Sequence, residues 1–181
     1  MKLISLRFLV LVAIIFSAAL LRILPHPYNF TPIAAMALFG GSMFGRKIWS
    51  FIVPLSAMLL SDVVIGFHGS MYSVYSSFVL IAILGIVFLQ KANFRNVVVL
   101  SLISSLLFFT ITNFFVWYGS SFYPQNTQGL ISCYAAGLSF YQNSFFGNLF
   151  ANTVMGDLFF NGILFGSFYI LQSYIPKLRF A

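Results

Sequence analysis

The chain has 181 residues, of which 61% are apolar and 6% are charged. An ordinary soluble domain is about 45–50% apolar and about 25% charged, so this composition excludes a water-soluble surface. The apolar runs are also too long for a soluble core, because about 20 helical residues cross the roughly 30 Å of a bilayer core. We therefore predict one all-α, polytopic integral membrane domain over residues 1–181.

Six apolar segments follow one another along the chain, and each predicts a transmembrane helix. The predicted spans are residues 6–24, 31–44, 48–65, 71–90, 97–117 and 143–174. Thr31 is predicted to be the N-cap of the second span, with Pro32 in its first turn. A cleaved signal peptide is the alternative for the first span, although its apolar stretch is long for one and its removal would leave an odd number of spans.

The longest connection lies between the fifth and sixth spans. Residues 119–141 carry no charge, and residues 130–140 are apolar but too few to cross a bilayer. Such a segment predicts a short re-entrant or interfacial helix. Loops of this length are usually functional or disordered, and the aromatic composition argues against disorder.

The basic residues predict the orientation. Eight of the nine lie where alternate loops and the two termini of a six-helix protein fall: Lys2, Arg7, Arg46, Lys47, Lys91, Arg95, Lys177 and Arg179. Only Arg22 lies on the other side, so the positive-inside rule predicts cytoplasmic N- and C-termini. The net charge of +7 does not indicate a nucleic-acid partner, because the basic residues are scattered in pairs and not clustered on one face.

Polar side chains that are not basic concentrate at the opposite, predicted outer, ends of the helices. Amides and carboxylates are costly in a bilayer unless they face protein or water, so this pattern predicts an outward-opening polar pocket between helices. The candidate substrate-binding residues are Asn29, Asp62, His68, Tyr72, Asn113, Trp117, Asn143, Asn148 and Asp157.

Several of these residues have a second interpretation. A single Asn often only hydrogen-bonds a neighbouring membrane helix, and a loop histidine such as His68 is commonly just solvated. Asp62 can cap a helix or pair with Arg22. Asp157 lies near the middle of the last span, where it either hydrogen-bonds within the bundle, protonated by desolvation, or serves a ligand or ion.

Small residues four apart predict close helix contacts, either within the bundle or with a partner helix. The pairs are Ala13 with Ser17, Ala37 with Gly41, and Gly162 with Gly166.

Motifs of catalysis are missing from the sequence. There is no phosphate-binding loop, no nucleophile elbow and no His-Glu-x-x-His pair. Two acidic residues, two histidines and one cysteine allow few acid–base sets and no internal disulfide. We expect neither an enzyme nor a bound metal or cofactor, and we expect Cys133 to be a packing residue.

Four stretches carry a family resemblance: NFTPIAAMALFGG at residues 29–41, LSDVVIGFH at 60–68, TNFFVW at 112–117 and GDLFFNG at 156–162. Over residues 24–166 the chain resembles a family of uncharacterised small bacterial membrane proteins. That family is similar in turn to the substrate-binding S components of energy-coupling-factor (ECF) vitamin transporters.

The resemblance implies a six-helix subunit in the bacterial cytoplasmic (inner) membrane that binds a micronutrient, such as a vitamin, near the outer face. S components have no ATPase and depend on a transmembrane coupling subunit and two ATPases. They dock that subunit through small residues on the first helices, for which Ala13 and Ser17 are the candidates. Two rival hypotheses remain: a scaffolding membrane protein with no ligand, and an independent ion- or proton-coupled carrier that uses Asp157.

Overall fold

The computed structural model of the protein describes residues 5–45, 47–139 and 144–179. Over these ranges it is all-α, with seven α-helices and a 3-10 turn at Pro176–Leu178. The helices are α1 (Leu6–Leu21), α2 (Ile33–Phe44), α3 (Trp49–Ile65), α4 (Met71–Phe88), α5 (Phe94–Gly119), α6 (Thr127–Leu138) and α7 (Leu149–Tyr174).

Asparagine caps set three of the helix starts. The side-chain oxygens of Asn93, Asn126 and Asn148 each accept a hydrogen bond from the backbone N–H three residues further on, at 2.7–2.9 Å. A cap of this kind satisfies one of the amides that the first helical turn leaves without a partner. The first turns of α5, α6 and α7 are therefore fixed by local sequence.

The helix bounds differ from the predicted ones at several ends. Pro32, and not Thr31, is the N-cap of α2, and it makes no side-chain cap hydrogen bond. The fifth helix extends beyond the predicted residues 97–117 at both ends, and α1 stops at Leu21 instead of residue 24. The last helix starts at Leu149 instead of residue 143, because Asn148 supplies its cap.

Among the described helices, three are long and apolar enough to cross a membrane, namely α4, α5 and α7. Three more, α1, α2 and α3, are apolar but have only 16, 12 and 17 residues. The chain is a helical membrane protein, and its six predicted spans divide into three long and three short apolar helices.

The short helix α2 is the centre of the bundle. It contacts α1, α3, α4, α5 and α7, and every residue in it except Ser42 is buried. Its Phe39 ring packs edge-on against Phe165 and Phe168 of α7, with ring centroids 5.0 and 6.0 Å away. A 12-residue helix is about 18 Å long, and because protein encloses it, its sequence is apolar all round.

Glycines bring α2 and α4 into close contact. A Cβ built on Gly85 would lie 2.6 Å from the carbonyl oxygen of Leu38, and one on Gly41 would overlap the carbonyl of Ala82. Only a residue without a side chain allows backbones to approach this closely. The close contact predicted from the pair Ala37 and Gly41 is confirmed at Gly41.

The helix ends gather at two ends of the bundle. At the first, Arg7 donates to the carbonyl of Leu178 at 2.6 Å, and the Phe8 ring packs against Phe44 and Trp49 at 5.5 and 5.3 Å. We call it the basic end, because the described basic residues other than Arg22 lie at the helix ends that meet there. The basic pattern also includes Lys2 and Arg46, which lie outside the described residues.

We call the opposite end, where α1, α3 and α5 finish and α2, α4 and α7 begin, the polar end. Here α6 folds back beside the last turns of α5. The Cys133 sulfur lies 3.5 Å from the carbonyl oxygen of Asn113, and the Tyr134 hydroxyl donates to the carbonyl of Thr110 at 2.6 Å. The short helix predicted between the fifth and sixth spans is thus present, over Thr127–Leu138.

Candidate functional site

A cavity of about 230 Å³ lies at the polar end, between α4, α5, α6 and α7. Its apolar wall comes from Val74, Phe108, Phe109, Val116 and Leu149. Its polar wall comes from Asn29, Ser70, Ser73, Thr112, Asn113 and Thr153. None of these described lining residues is charged, so they cannot form a salt bridge with a charged ligand.

Three of the four hydroxyl groups in the polar wall already use their hydrogens. Ser73 donates to the carbonyl of Ser70 at 2.8 Å, and Thr112 donates to that of Phe108 at 2.8 Å. In the same way Thr153 donates to the carbonyl of Leu149, at 3.0 Å. A hydroxyl has one hydrogen and two lone pairs, so these three groups present acceptors to the cavity.

The two amides of the wall are also oriented by backbone carbonyls. The Asn113 amide nitrogen donates to the carbonyl of Phe109 at 2.9 Å, and that of Asn29 donates to Leu149 at 3.5 Å. Asn29 adopts a left-handed conformation, with φ of 62°, which asparagine tolerates better than most residues. Each amide keeps a second N–H, but the oxygens of the two amides and of the three hydroxyls outnumber these donors, so the wall offers more hydrogen-bond acceptors than donors.

Gly137 of α6 sets the size of the cavity on one side. A Cβ there would lie 2.6 Å from the Asn113 side-chain oxygen and 3.0 Å from a ring carbon of Phe109. Both atoms belong to cavity-lining residues. The absence of a side chain at this position therefore leaves room for the Asn113 amide and for the cavity beside it.

A buried ion pair lies at the same end but outside the cavity lining. Asp62 of α3 contacts Arg22 at the end of α1 at 2.6 Å, with side-chain exposures of 1% and 6%. The Tyr75 hydroxyl of α4 donates to the second carboxylate oxygen of Asp62 at 2.8 Å. Arg22 also donates to the Ser61 hydroxyl and, at 3.2 Å, to the carbonyl of Met58. This cluster joins α1, α3 and α4.

The second carboxylate of the chain, Asp157, lies in the contact between α5 and α7. It is 2% exposed and accepts a hydrogen bond of 2.6 Å from the Ser105 hydroxyl of α5. One turn further along α7, the Asn161 amide donates to the Ser101 hydroxyl at 2.8 Å. One turn the other way is Thr153 of the cavity wall. Among the described residues, no basic side chain forms an ion pair with Asp157.

Residues 2–178 match the family of unknown function DUF6580. The chain belongs to this family. No curated protein and no solved structure matches the chain. The DUF6580 match spans all seven described helices, the cavity and both buried carboxylates.

Two of the predicted binding residues of this DUF6580 protein, Asn29 and Asn113, line the cavity. Trp117 does not line the cavity. Its ring nitrogen donates to the carbonyl of Pro124 at 2.9 Å, and Gln125 donates to the Trp117 carbonyl at 2.6 Å. Trp117 thus holds the loop that follows α5. Asp62 and Asp157 lie outside the cavity lining, in the two buried clusters described above.

The remaining predicted binding residues lie at the margin of the polar end. Tyr72 is 85% exposed. His68 is exposed, and its Nδ1 lies 2.8 Å from the hydroxyl of Ser70, a lining residue, so it sits near the cavity rim. Asn148 caps α7 and donates to the carbonyl of Leu138 at 2.6 Å. Asn143 lies outside the described residues.

The candidate docking residues Ala13 and Ser17 are exposed on α1. The pair Gly162 and Gly166 makes no close helix contact among the described residues, because nothing lies within 4 Å of a Cβ at either position. The prediction of a partner helix at these small-residue faces is not tested by their geometry.

Several residues that line the cavity were not predicted from the sequence. In the sequence, the three- and four-residue spacing of Thr110, Asn113 and Trp117 predicts one polar face of α5. In the structure Thr110 is exposed, and the cavity face carries Thr112 and Asn113. The spacing of Phe109, Thr112, Asn113 and Val116 is a signal for this face, since three- and four-residue steps keep one side of a helix. Gly137 had no signal, because only the tertiary contact of α6 with α5 gives it a role.

Proposed function

We propose that this DUF6580 protein is the substrate-binding membrane subunit of an uptake system for a small micronutrient, similar to the S components of ECF transporters. The cavity at the polar end carries the proposal. It places uncharged hydrogen-bonding groups from several elements around one apolar chamber, which is the usual construction of a small-molecule site. The lining includes Asn29 and Asn113, two residues that the sequence pattern predicts to bind substrate.

The proposed topology has six spans, α1 to α5 and α7, in the bacterial cytoplasmic membrane. The described helices alternate in direction, and the basic residues gather at one end, which the positive-inside rule assigns to the cytoplasm together with both termini. The cavity then opens outward. In this topology α6 returns beside α5 as the re-entrant or interfacial helix, and its 12 residues are too few to span.

The polarity of the cavity supports a ligand that is neutral and rich in N–H or O–H groups. A charged ligand would lose its hydration without gaining a counter-charge, since no described lining residue is charged. The hydroxyls of Ser73, Thr112 and Thr153 have donated their hydrogens to backbone carbonyls, so they bind donors.

The size of the cavity and its aromatic residues further restrict the class of ligand that it can hold. An apolar cavity of about 150 Å³ holds a benzene molecule, and drug-sized ligands occupy about 300–1,000 Å³. At about 230 Å³, this cavity fits a molecule of one or two rings. Phe108 and Phe109 supply apolar faces against which such a ring can pack.

Transport in this proposal requires partners. The chain has no phosphate-binding loop, so ATP hydrolysis belongs to separate ATPases joined through a transmembrane coupling subunit. The exposed residues Ala13 and Ser17 of α1 are the proposed docking face for that subunit.

Native mass spectrometry and thermal unfolding of the purified full chain test the proposal. We expect a neutral, donor-rich micronutrient to co-purify or to raise the melting temperature, since a ligand that binds only the folded state stabilises it. Thr112→Val keeps the side-chain shape and removes the acceptor, so affinity should fall about tenfold, the equivalent of about 1.4 kcal/mol. Thr110→Val is the matched control, because Thr110 lies on the same helix and does not line the cavity.

The outcomes separate the rival functions. Equal loss of affinity in both variants contradicts binding in this cavity. A protein that neither carries nor gains a small molecule favours the scaffold. Uptake into liposomes that contain this chain alone, without any ATPase, favours the independent carrier that uses Asp157.

A further inference from the structure

The contact between α5 and α7 contains a carboxylate that the proposed function does not use. Asp157 is 2% exposed, and among the described residues no basic side chain of α1, α2, α5 or α6, the α-helices that pack against α7, forms an ion pair with it. Arg7 of α1 lies over the Phe168 ring of α7 at 4.9 Å, about three helical turns from Asp157. An ionised carboxylate in such a place is stable only when a cation or a set of hydrogen bonds compensates its charge, or when it takes up a proton. Its single described hydrogen bond, from Ser105, is less than full compensation.

Hydroxyl and carbonyl oxygens of α5 lie beside Asp157 of α7. The Ser105 hydroxyl lies 2.6 Å from a carboxylate oxygen of Asp157 and 3.0 Å from the backbone carbonyl oxygen of Ser101. The Ser101 hydroxyl in turn accepts from the Asn161 amide at 2.8 Å. Because Ser101 and Ser105 are four residues apart on α5, as are Asp157 and Asn161 on α7, the four side chains form one cluster.

The cluster also contains an acceptor for which the described residues supply no donor. The side-chain oxygen of Asn161 is buried and has no hydrogen-bond partner among them, and the residue is 1% exposed. A buried acceptor left in this state costs free energy, so such an atom in a folded protein calls for an explanation. Within the described residues, the same short stretch of the α5–α7 contact thus has a carboxyl group without a basic partner and an amide oxygen without a donor.

A single cation bound by both oxygens would give the Asp157 carboxylate a positive partner and the Asn161 oxygen a ligand to coordinate. We propose that Asp157, Asn161, Ser101 and Ser105 form a binding site for a monovalent alkali cation of sodium size. Carboxylate, amide, hydroxyl and carbonyl oxygens are the ligands that hard cations prefer. One carboxylate balances one positive charge, and the described residues contain no group of three His, Cys, Asp or Glu side chains that would suit a metal of higher charge.

The cluster lies next to the cavity, so a bound cation would affect the cavity wall. Asp157 is one helical turn from Thr153, and Ser105 is one turn from Phe108 and Phe109, all three of which line the cavity. A cation held between α5 and α7 would therefore fix the wall against which the ligand binds. By linkage, ligand and cation should then strengthen each other's binding by the same factor.

Thermal unfolding in sodium and choline tests the site directly. The purified full chain is exchanged into choline chloride, and sodium chloride then replaces it at constant total chloride. We expect the melting temperature to rise by about 5–10 °C at about 100 times the dissociation constant. Asp157→Asn should abolish the response, and Ser105→Ala should shift its midpoint to about tenfold higher sodium, one lost ligand being equivalent to about 1.4 kcal/mol.

Ser77→Ala is the matched control. Ser77 is buried and its hydroxyl lies at hydrogen-bond distance from a carbonyl oxygen four residues back, as that of Ser105 does, but it belongs to α4. Its response to sodium should equal that of the unmutated chain. If Asp157→Asn does not fold, the sodium responses of Ser105→Ala and Ser77→Ala are compared: a weaker response in Ser105→Ala alone supports the site, and equal responses contradict it.

Three results would overturn the site. They are the same melting temperature in sodium and choline, an unchanged sodium response in both Asp157→Asn and Ser105→Ala, and an infrared band of a protonated carboxyl that persists at saturating sodium and is absent from Asp157→Asn. Failure of the cation site can be told apart from failure of the proposed function. If only the cation site is wrong, the neutral ligand should still bind in choline buffer, and its affinity should still fall in Thr112→Val.

Discussion

The two carboxylates of this protein are both buried, yet their surroundings differ. Both oxygens of Asp62 are engaged, one by Arg22 and the other by Tyr75. Asp157 has one hydroxyl partner and, among the described residues, no basic one. Asp62 thus belongs to a fully paired cluster that joins three helices, whereas Asp157 has a single hydrogen-bond partner among the described residues.

The locations of the two carboxylates reinforce this contrast. The Asp62 cluster joins α1, α3 and α4, and none of its described members lines the cavity. Asp157 lies between α5 and α7, one turn from the cavity residue Thr153. Thus the carboxylate nearer the polar end serves the fold, and the deeper one is next to the site.

The largest effect should follow from breaking the fully paired cluster. Asp62→Ala leaves the Arg22 guanidinium buried without a counter-charge, which should destabilise the protein by about 3–5 kcal/mol. Denaturant unfolding in detergent micelles measures this. The double variant Arg22→Met with Asp62→Leu should recover most of the loss, because it removes both charges. A loss below about 1 kcal/mol in the single variant, as for an exposed pair, would contradict the account.

A smaller effect should come from the third member of that cluster. Tyr75→Phe removes one hydrogen bond to a charged acceptor and should cost about 1.5–3 kcal/mol in the same unfolding measurement. In the background of Asp62→Leu with Arg22→Met, the substitution should cost much less, since its partner is gone. Equal costs in the two backgrounds would show that the Tyr75 hydroxyl is not coupled to Asp62.

The smallest effect on stability should come from the other carboxylate. In sodium-free buffer, Asp157→Asn replaces an uncompensated acid with a neutral amide of the same shape, so we expect a change within about 1 kcal/mol of zero. The contrast with the Asp62→Ala result is the informative quantity. A loss as large as that of Asp62→Ala would show that Asp157 is a structural residue as well.

The sequence predicted those parts of the fold that depend on local pattern. Hydrophobic runs located the apolar helices, and the length of the segment after α5 indicated a short extra helix, seen at Thr127–Leu138. The polar end was also predictable, because Asn29 and Asn113 occur at matching ends of their segments. These features are set by composition within one stretch of chain.

Features that depend on packing between stretches were not predictable. The central position of α2 arises from glycine contacts such as that of Gly85 with Leu38, and spacing alone does not name the partner. Asp62 was expected to serve a substrate or to pair with Arg22, and only the folded chain shows the pair. The cavity face of α5 was misplaced toward Thr110, because two polar residues close together in sequence point to different sides of a helix.

The most direct test of the central claim is ligand affinity after filling the cavity from α6. Gly137→Ala puts a methyl group against the movable end of Asn113 and into the cavity, so the chain should fold but bind its ligand at least about tenfold more weakly, the equivalent of about 1.4 kcal/mol. Gly162→Ala adds the same group where nothing lies within 4 Å and should leave affinity unchanged. Isothermal titration of both variants with the co-purifying ligand measures the difference. Equal affinities in the two folded variants would contradict a binding site in this cavity.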